Sequence, residues 1–378
     1  MRFSATTVPG AEDLAAQEVE ALLGCHPEPG VGRIYFEAPR EAVYLLNLRS
    51  RTLYKVMIEL CRGRFEGLED LYRLARSLDY GWVIGADQSF AIRSERYGEH
   101  DFTSVDVSRV VGQAVIDSYR ESRGVRLRVD LEEPDVEIEV LVRGEEFLMG
   151  VNTTGRSLHR RGYRVYEHPA ALKPTIASAM ILWSGWTPER SLLDPMCGGG
   201  TIPIEAALMA RNIAPNGRRE DFSFLKLRLF NREEFEEERR RTLEAERGGY
   251  FPIHGMERSR RHLRGALRNA EEAGVRYTIH AILGDATRWE DYPQGDLEYV
   301  IVNPPYGIRM VPGGSPKRLY VGFLEALKGK GPGATLVLIT AASRRFRYAV
   351  EEVGEELGGE RREIDCEITS ALFKCRIP

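Results

Sequence analysis

The pattern of hydrophobic and polar positions predicts short strands alternating with amphipathic helices in the first part of the chain. Apolar side chains at every second position predict a strand, and apolar side chains at intervals of three and four predict a helix. In chain order this gives a strand at 2–8, a helix at 12–23, a strand at 33–37 and a helix at 40–47. Pro9-Gly10 and Gly24 stand where a turn and a helix cap belong. We therefore predict a small α+β unit over residues 1–64.

A second α+β unit is predicted over residues 65–155. A strand at 89–93 precedes an amphipathic helix in which valine and alanine recur every three or four residues from 107 to 115. Apolar residues then alternate from 136 to 142, and Arg143-Gly144-Glu145 leads into a second apolar run. This last pattern is typical of a β-hairpin.

From residue 175 to residue 378 the pattern changes to apolar runs separated by helical stretches, which indicates a doubly wound α/β sheet of the Rossmann type. The runs are at 192–193, 251–256, 277–283, 297–302 and 335–340. An insertion follows a helix predicted at 201–212. Within it, Glu236/Arg240 and Glu237/Arg241 are spaced as favourable ion pairs, so we interpret 232–247 as a solvent-exposed helix.

A basic linker over residues 156–174 joins these parts. Cations and aromatic rings alternate in it, and such a stretch can contact phosphates and stack on bases. The candidate RNA-binding residues are Arg156, His159, Arg160, Arg161, Tyr163 and Arg164. A solvated linker with ordinary surface charge has the same composition, so both interpretations stay open.

Composition and charge narrow the classes of protein. At 378 residues, two or three domains are expected, and a net charge of −4 argues against indiscriminate nucleic-acid binding. Residues 1–155 hold 18 basic and 27 acidic side chains, so any RNA contact there must be a local patch. No apolar run is long enough to span a bilayer and the start lacks a signal-peptide plan, so we expect a cytoplasmic protein without membrane association. The five cysteines show no paired spacing, so we expect neither a zinc site nor disulfides.

Polar residues follow successive apolar strands of the last unit. Asp194-Pro195-Met196-Cys197-Gly198-Gly199-Gly200-Thr201 places a glycine turn between a strand and a helix, where the backbone can approach a ligand closely. This turn lacks the lysine of a phosphate-binding P-loop. Glu257 ends the next strand and could accept hydrogen bonds from ribose hydroxyls, while Asp285-Ala286 ends the third and could receive an adenine amine. Each acid alone is more often a turn or helix cap, but the ordered set predicts an adenosine-shaped crevice.

The fourth strand leads into Asn303-Pro304-Pro305-Tyr306. Two prolines fix the backbone, so the Asn303 side-chain oxygen and the Pro304 carbonyl can face one substrate amine. The amine of a base is a poor nucleophile because its lone pair is delocalised, and two acceptors that draw its hydrogens out of plane would restore its reactivity toward a sulfonium methyl. Tyr306 would stack on the extruded base. We therefore predict an S-adenosylmethionine-dependent enzyme that methylates an exocyclic amine.

The sequence resembles the THUMP-domain class I RNA methyltransferases, most closely the tRNA guanine-N2 methyltransferases that act at position 6 of the acceptor stem. The resemblance covers nearly the whole chain and rests on segments 7–10, 158–164, 172–175, 194–201 and 303–307. It implies an N-terminal ferredoxin-like domain, a THUMP domain that captures the tRNA 3′ end, and a Rossmann-fold methyltransferase domain. It also implies that Thr175 lies near the methionine end of the cofactor.

On this resemblance we expect tRNA as the partner, S-adenosylmethionine as the cofactor, no metal and a monomer. The cofactor would contact Thr175, Asp194, Pro195, Cys197, Gly198, Gly200, Thr201, Glu257, Asp285, Ala286 and Asn303. Related position-10 enzymes carry Asp in place of Asn303, which favours position 6. Three alternatives stay open: an rRNA guanine-N2 methyltransferase, an N6-adenine nucleic-acid methyltransferase, and an inactive RNA-binding or chaperone protein.

Overall fold

The computed structural model describes residues 1–305, 316–354, 359–364 and 370–377. Its first part has an α+β architecture whose helices are ended by local signals. Gly24 caps the first helix in the left-handed conformation at φ 68°, and Thr103 with Asp106 forms a capping box on the fourth. The elements are β1 (Arg2–Thr7), α1 (Glu12–Leu23), β2 (Glu28–Gly30), β3 (Arg33–Glu37), α2 (Ala42–Arg49), β4 (Leu53–Arg64), α3 (Leu68–Arg76), β5 (Ser89–Tyr97), α4 (Ser104–Arg123), β6 (Arg128–Val129), β7 (Val136–Arg143) and β8 (Glu146–Asn152).

The strands of the two predicted N-terminal units form one continuous sheet. Its order is β2-β3-β1-β4-β8-β7-β5-β6, and the hairpin of β7 and β8 lies near its middle. The long strand β4 joins the halves, because it pairs antiparallel with β1 on one side and with β8 on the other. The sequence predicted most elements of both units, but it predicted neither β2, α3, β4 and β6 nor this shared sheet, since strand pairing across units leaves no periodic signal.

The second part of the chain is a doubly wound α/β domain, as predicted. Its sheet has the order β11-β10-β9-β12-β13-β15-β14, in which the first five strands run parallel and β15 pairs antiparallel with both neighbours. The elements are α5 (Pro174–Ser184), β9 (Leu192–Asp194), α6 (Thr201–Ala210), α7 (Arg232–Glu244), β10 (Ile253–Glu257), α8 (Arg260–Glu272), β11 (Ile279–Leu283), β12 (Tyr299–Val302), α9 (Pro316–Lys330), β13 (Thr335–Thr340), α10 (Ser343–Glu352), β14 (Gly359–Ile364) and β15 (Ser370–Arg376).

Alternating side chains of the parallel strands bury both faces of this sheet. Ile301 packs in the core that includes α5, α6 and α8, whereas Val300 and Val302 pack in the core that includes α9 and α10. The carboxyl ends of β9, β10, β11 and β12 therefore lie side by side along one edge, between two helical layers. This edge is where ligands bind in open α/β sheets.

The insertion after α6 contains the predicted helix, which is largely exposed but also packs against the N-terminal part. Helix α7 turns Phe235, which is fully buried, into the core of the N-terminal part, where its ring lies 5.2 Å from Phe224 and 6.2 Å from Tyr44. The charged face stays exposed. Glu237 pairs with Arg241 as predicted, but Glu236 pairs with Arg232 and Arg239 instead of Arg240.

The N-terminal part and the α/β domain are in close contact at Gly10. A Cβ atom on Gly10 would lie 2.0 Å from the carbonyl oxygen of Glu363 in β14, and the φ of Gly10 is +90°. The neighbouring Asp13 accepts two hydrogen bonds from Arg362. Only glycine fits at this position of the turn. This requirement gives a physical reason for the motif at 7–10, on which the resemblance partly rests. Among the described residues, no helix combines the length and apolar character needed to cross a membrane.

Candidate active site

The glycine turn after β9 is held against the end of β10. The Cys197 amide donates to the carbonyl of Met256 at 2.9 Å, and the Gly198 amide donates to the Glu257 carboxylate at 3.1 Å. Gly198 and Gly200 have φ values of 54° and 82°, which side chains other than glycine rarely adopt. The turn therefore places buried backbone at the sheet edge and leads into α6 at Thr201, and Pro195 is also buried.

Two carboxylates lie at adjacent strand ends beside this turn. Glu257 also accepts the Ser259 amide at 2.8 Å, so it fixes the turn and the start of α8 together. Asp194 accepts the Met196 amide at 3.1 Å, and burial raises the pKa of its carboxyl well above the ordinary value. Each Glu257 oxygen retains a second lone pair that could accept a ribose hydroxyl.

Asp285 and Ala286 lie at the end of β11, on the far side of β10. One carboxylate oxygen of Asp285 accepts both the amide and the hydroxyl of Thr287, at 2.9 and 2.8 Å. Its own amide donates to Asp291 at 2.9 Å, and Ala286 is buried. The carboxylate thus acts as a turn cap, and its assignment to an adenine amine stays a prediction.

Asn303 and Thr175 carry buried polar atoms that need a partner. Neither the Asn303 Oδ1 nor the Thr175 Oγ1 has a hydrogen-bond partner among the described residues, although both atoms are inaccessible to solvent. Asn303 follows β12 and is continued by the buried Pro304 and the half-buried Pro305. Thr175 lies in the first turn of α5. A buried oxygen without a donor favours binding of an N–H or O–H group, so both positions fit a ligand. Tyr306 lies outside the described residues.

The linker is not the flexible chain that its composition indicated. Arg161 and Tyr163 are buried, so the prediction that they contact RNA was wrong. The Tyr163 hydroxyl donates to Glu205 in α6 at 2.8 Å, and the Arg161 guanidinium lies 3.5 Å from the same carboxylate. Arg161 also donates to the carbonyl of Arg51 at 2.9 Å, which ties the linker to the N-terminal part.

The other predicted RNA-binding residues differ in accessibility. Arg156 and Arg160 are exposed, whereas His159 is partly buried and burial lowers its pKa to about 4. Arg164 donates to Thr201 at 3.1 Å and to the carbonyl of Leu172, so it supports the start of α6. Arg156 and Arg160 remain available to RNA, and their binding role stays a prediction.

Sequence reasoning missed a cluster in the linker that lies on the glycine turn. The His168 ring lies 3.3 Å from where a Cβ on Gly198 would stand. Its ring centroid lies 4.4 Å from that of His262, whose Nδ1 is 2.5 Å from the Tyr166 hydroxyl. The Asn269 amide bonds to the carbonyls of both Tyr166 and Gly199, at 3.0 and 2.9 Å. This cluster lies against the glycine turn at the candidate cofactor crevice. In the sequence, only the aromatic residues of the linker indicated it.

Comparisons with known proteins identify the domains of the chain. Residues 161–366 match a family model for an RMKL-like methyltransferase domain, residues 65–152 match a THUMP domain, and residues 2–57 match an RlmL ferredoxin-like domain. The chain is 47% identical to a tRNA (guanine(6)-N2)-methyltransferase of Archaeoglobus fulgidus, over 96% of this chain and 88% of that one. It is 40% identical to a protein of the same name from Methanocaldococcus jannaschii, over 95% and 96% of the two chains.

A solved structure shows the same architecture. The crystal structure of a possible methylase from Clostridium difficile superposes with a TM-score of 0.89 at 26% identity, and the match covers 100% of this chain and 98% of that one. The predicted order of a ferredoxin-like domain, a THUMP domain and a Rossmann-fold methyltransferase domain is confirmed. The chain therefore belongs to the THUMP-containing, RMKL-like methyltransferase family.

Proposed function

We propose that this methyltransferase transfers a methyl group from S-adenosylmethionine to the N2 amine of a guanosine in tRNA, at position 6 of the acceptor stem. The observation that carries the proposal is the Asn303 Oδ1, a buried acceptor without a partner among the described residues, at the end of β12. The names of the two archaeal relatives support guanosine N2 and tRNA.

The chemistry follows from the strand ends. The cofactor supplies the methyl group as an electrophile. The Asn303 oxygen would accept one hydrogen of the substrate amine and the Pro304 carbonyl the other, which would draw the nitrogen lone pair out of the plane of the base. As the nitrogen–carbon bond formed, the sulfur–methyl bond would break and S-adenosylhomocysteine would leave, and the nitrogen would lose one of these two hydrogens as a proton. Pro304 and Pro305 restrict the backbone that holds both acceptors, which lowers the entropy lost on reaching this geometry.

The residues around the glycine turn fit S-adenosylmethionine. We assign the ribose hydroxyls to Glu257, the adenine to Asp285 and Ala286, and the methionine end to Thr175 and to the amides at the start of α6. The remaining contacts come from Asp194, Pro195, Cys197, Gly198, Gly200 and Thr201. The unpartnered Thr175 Oγ1 supports this placement, because bound ligand would satisfy a buried hydroxyl.

A substrate panel tests the proposal. Purified protein is incubated with labelled S-adenosylmethionine and, separately, with an unmodified tRNA transcript, an rRNA fragment and duplex DNA. We expect label in tRNA alone, and mass spectrometric mapping should find N2-methylguanosine at position 6. Label in rRNA or as N6-methyladenine in DNA would replace this function with one of the alternatives, and failure to bind the cofactor by calorimetry would indicate an inactive RNA-binding protein.

A further inference from the structure

Helix α8 exposes a continuous row of arginines beside the candidate active site. We call this row the arginine face. All of its members are exposed, and the opposite side of α8 packs on the sheet through Gly265, Ala266 and Ala270. At 1.5 Å of rise per residue, the helical part of the row is about 12 Å long. The arginine face consists of Arg258, Arg260, Arg261, Arg264 and Arg268.

The arginine face lacks the acidic partners that an ordinary solvent-exposed helix has. Within the described part of the chain, none of its five guanidinium groups forms an ion pair, and residues 258–268 contain no acid. Helix α7 in the same protein provides the contrast. There Arg232, Arg239, Arg240 and Arg241 all pair with glutamates one turn away. The guanidinium groups of the arginine face can therefore bind anions from outside the chain.

The position of these arginines on α8 opposes the stability of the helix. The amino end of a helix carries partial positive charge, so acids stabilise it and cations destabilise it. Helix α8 has no acid in its first turn and begins with Arg260-Arg261; α9 and α10 likewise begin with cations and no acid, whereas α1, α3, α4 and α7 have acids there. An anion bound at this end of α8 would offset the unfavourable interaction.

The arginine face also begins beside the candidate cofactor crevice. Helix α8 follows β10 directly, and its preceding Glu257 bonds to the glycine turn at 3.1 Å. The cofactor carries no phosphate and therefore has no need of five extra cations. The acidic balance of residues 1–155, with 18 basic and 27 acidic side chains, leaves most of the electrostatic attraction for RNA to the methyltransferase domain.

We propose that the arginine face binds backbone phosphates of the substrate RNA and so presents the duplex to the crevice. This inference rests on the proposed function only in that the substrate is an RNA. Guanidinium groups donate two parallel hydrogen bonds to phosphate oxygens, which suits arginine to this contact. Phosphate contacts fix the register and orientation of a nucleic acid without reading its sequence.

The test removes three charges and measures binding separately from methyl transfer. In the variant Arg260→Gln/Arg264→Gln/Arg268→Gln, the dissociation constant for a tRNA transcript and for a duplex rRNA fragment is measured by fluorescence anisotropy across a range of salt concentrations. We expect about ten-fold weaker binding near physiological salt. The slope of the logarithm of the association constant against the logarithm of the salt concentration should be smaller in magnitude by about two to three. Cofactor affinity, measured by calorimetry, should not change.

Two further variants control for charge and for folding. Arg232→Gln/Arg240→Gln/Arg241→Gln on α7 removes the same number of charges from paired sites and should leave the salt dependence as in the wild type. Arg260→Lys/Arg264→Lys/Arg268→Lys keeps the charge and should restore most of the lost slope. The proposal would be overturned if the α8 and α7 glutamine variants showed the same dependence of binding affinity on salt concentration for both RNAs. A failed substrate panel would instead refute only the proposed function, since this readout needs no methyl transfer.

Discussion

At the scale of single residues, the candidate active site contains two buried polar atoms that have no partner among the described residues. A buried donor or acceptor left without a partner costs about 1–3 kcal/mol. The oxygens of Asn303 and Thr175 both carry this cost, and they lie at the end of β12 and the start of α5. A ligand group that donated a hydrogen bond to either oxygen would recover this cost.

Replacement of Asn303 tests its role directly. We expect Asn303→Ala to lower kcat by roughly 100-fold or more, the loss typical of removing one preorganised hydrogen-bonding group from a transition state. Cofactor affinity should remain close to that of the wild type, because the missing oxygen faces the substrate amine. Single-turnover methyl transfer and calorimetry measure the two quantities. Full activity in the alanine variant would refute the assignment, and Asn303→Asp, which keeps an acceptor, should retain more activity than Asn303→Ala.

Acid should destabilise the protein through His254. Burial, with repulsion from His280 as the smaller cause, lowers the pKa of His254 to about 4. The unfolded chain titrates near pH 6.5 and therefore binds a proton between pH 6.5 and 4 that the folded chain does not, so stability is lost as the pH falls through this window. His254→Gln should lessen this loss by about 1–2 kcal/mol, a value reduced for partial exposure. Thermal unfolding at pH 7 and 4.5 measures it, with His26→Gln as the exposed control.

At the scale of elements, α7 shows how a charged sequence can hide a structural contact. Its glutamates and arginines predict exposure, but the single ring of Phe235 anchors the helix in an aromatic group with Tyr44, Phe222 and Phe224. The ring is fully buried although the helix as a whole is polar. Glu234 adds polar contacts to the same part of the molecule, because it accepts hydrogen bonds from Arg40 and from the Tyr44 hydroxyl.

Truncation of Phe235 measures that anchor. Phe→Ala substitutions in cores cost about 3–5 kcal/mol, so we expect Phe235→Ala to destabilise the N-terminal part by about that amount. Denaturant unfolding followed by aromatic fluorescence checks this value. Arg240→Ala, on the exposed side of the same helix, should change stability by no more than about 0.5 kcal/mol. Equal effects of the two substitutions would mean that α7 contributes little to the fold.

The sequence allowed prediction of most elements and of the order of the site residues, but it did not allow prediction of what packs across units. Helix α1 and strand β13 have the bounds that their patterns indicate, because α1 buries one regular face and β13 is an apolar run buried on both faces. The burial of Arg161 and Tyr163 left no such sign, since it depends on Glu205, more than 40 residues further along the chain. Contacts between residues distant in sequence form only when the chain folds, so no local sequence pattern indicates them.

At the scale of the whole molecule, a buried ionic network connects the N-terminal part to the methyltransferase domain. Glu205 in α6 accepts the Tyr163 hydroxyl at 2.8 Å and the Ser178 hydroxyl at 2.9 Å, and it faces Arg161 at 3.5 Å. Arg51, which follows α2, donates to the carbonyl of Ile213 at 2.8 Å beside this group. The linker thus holds both parts in one arrangement.

Removal of Arg161 should weaken this arrangement strongly. Arg161→Leu leaves the Glu205 charge buried without its cation, which typically costs about 3–5 kcal/mol. The double variant Arg161→Leu/Glu205→Leu removes both charges and should be less destabilised than the single variant. Calorimetric unfolding of the four proteins in this cycle measures the coupling. Arg160→Leu, at an exposed neighbouring position, serves as the control, and a double variant no more stable than Arg161→Leu would contradict a coupled pair.

The shared strand β4 has a consequence for any attempt to divide the protein. A fragment that stopped at residue 64 would keep the pairing of β4 with β1 but would leave its edge toward β8 bare, a row of unpaired amides and carbonyls. Such edges recruit strands from other molecules, so the excised ferredoxin-like unit would be prone to aggregate. The smallest N-terminal fragment that keeps this edge covered extends through β8 at Asn152.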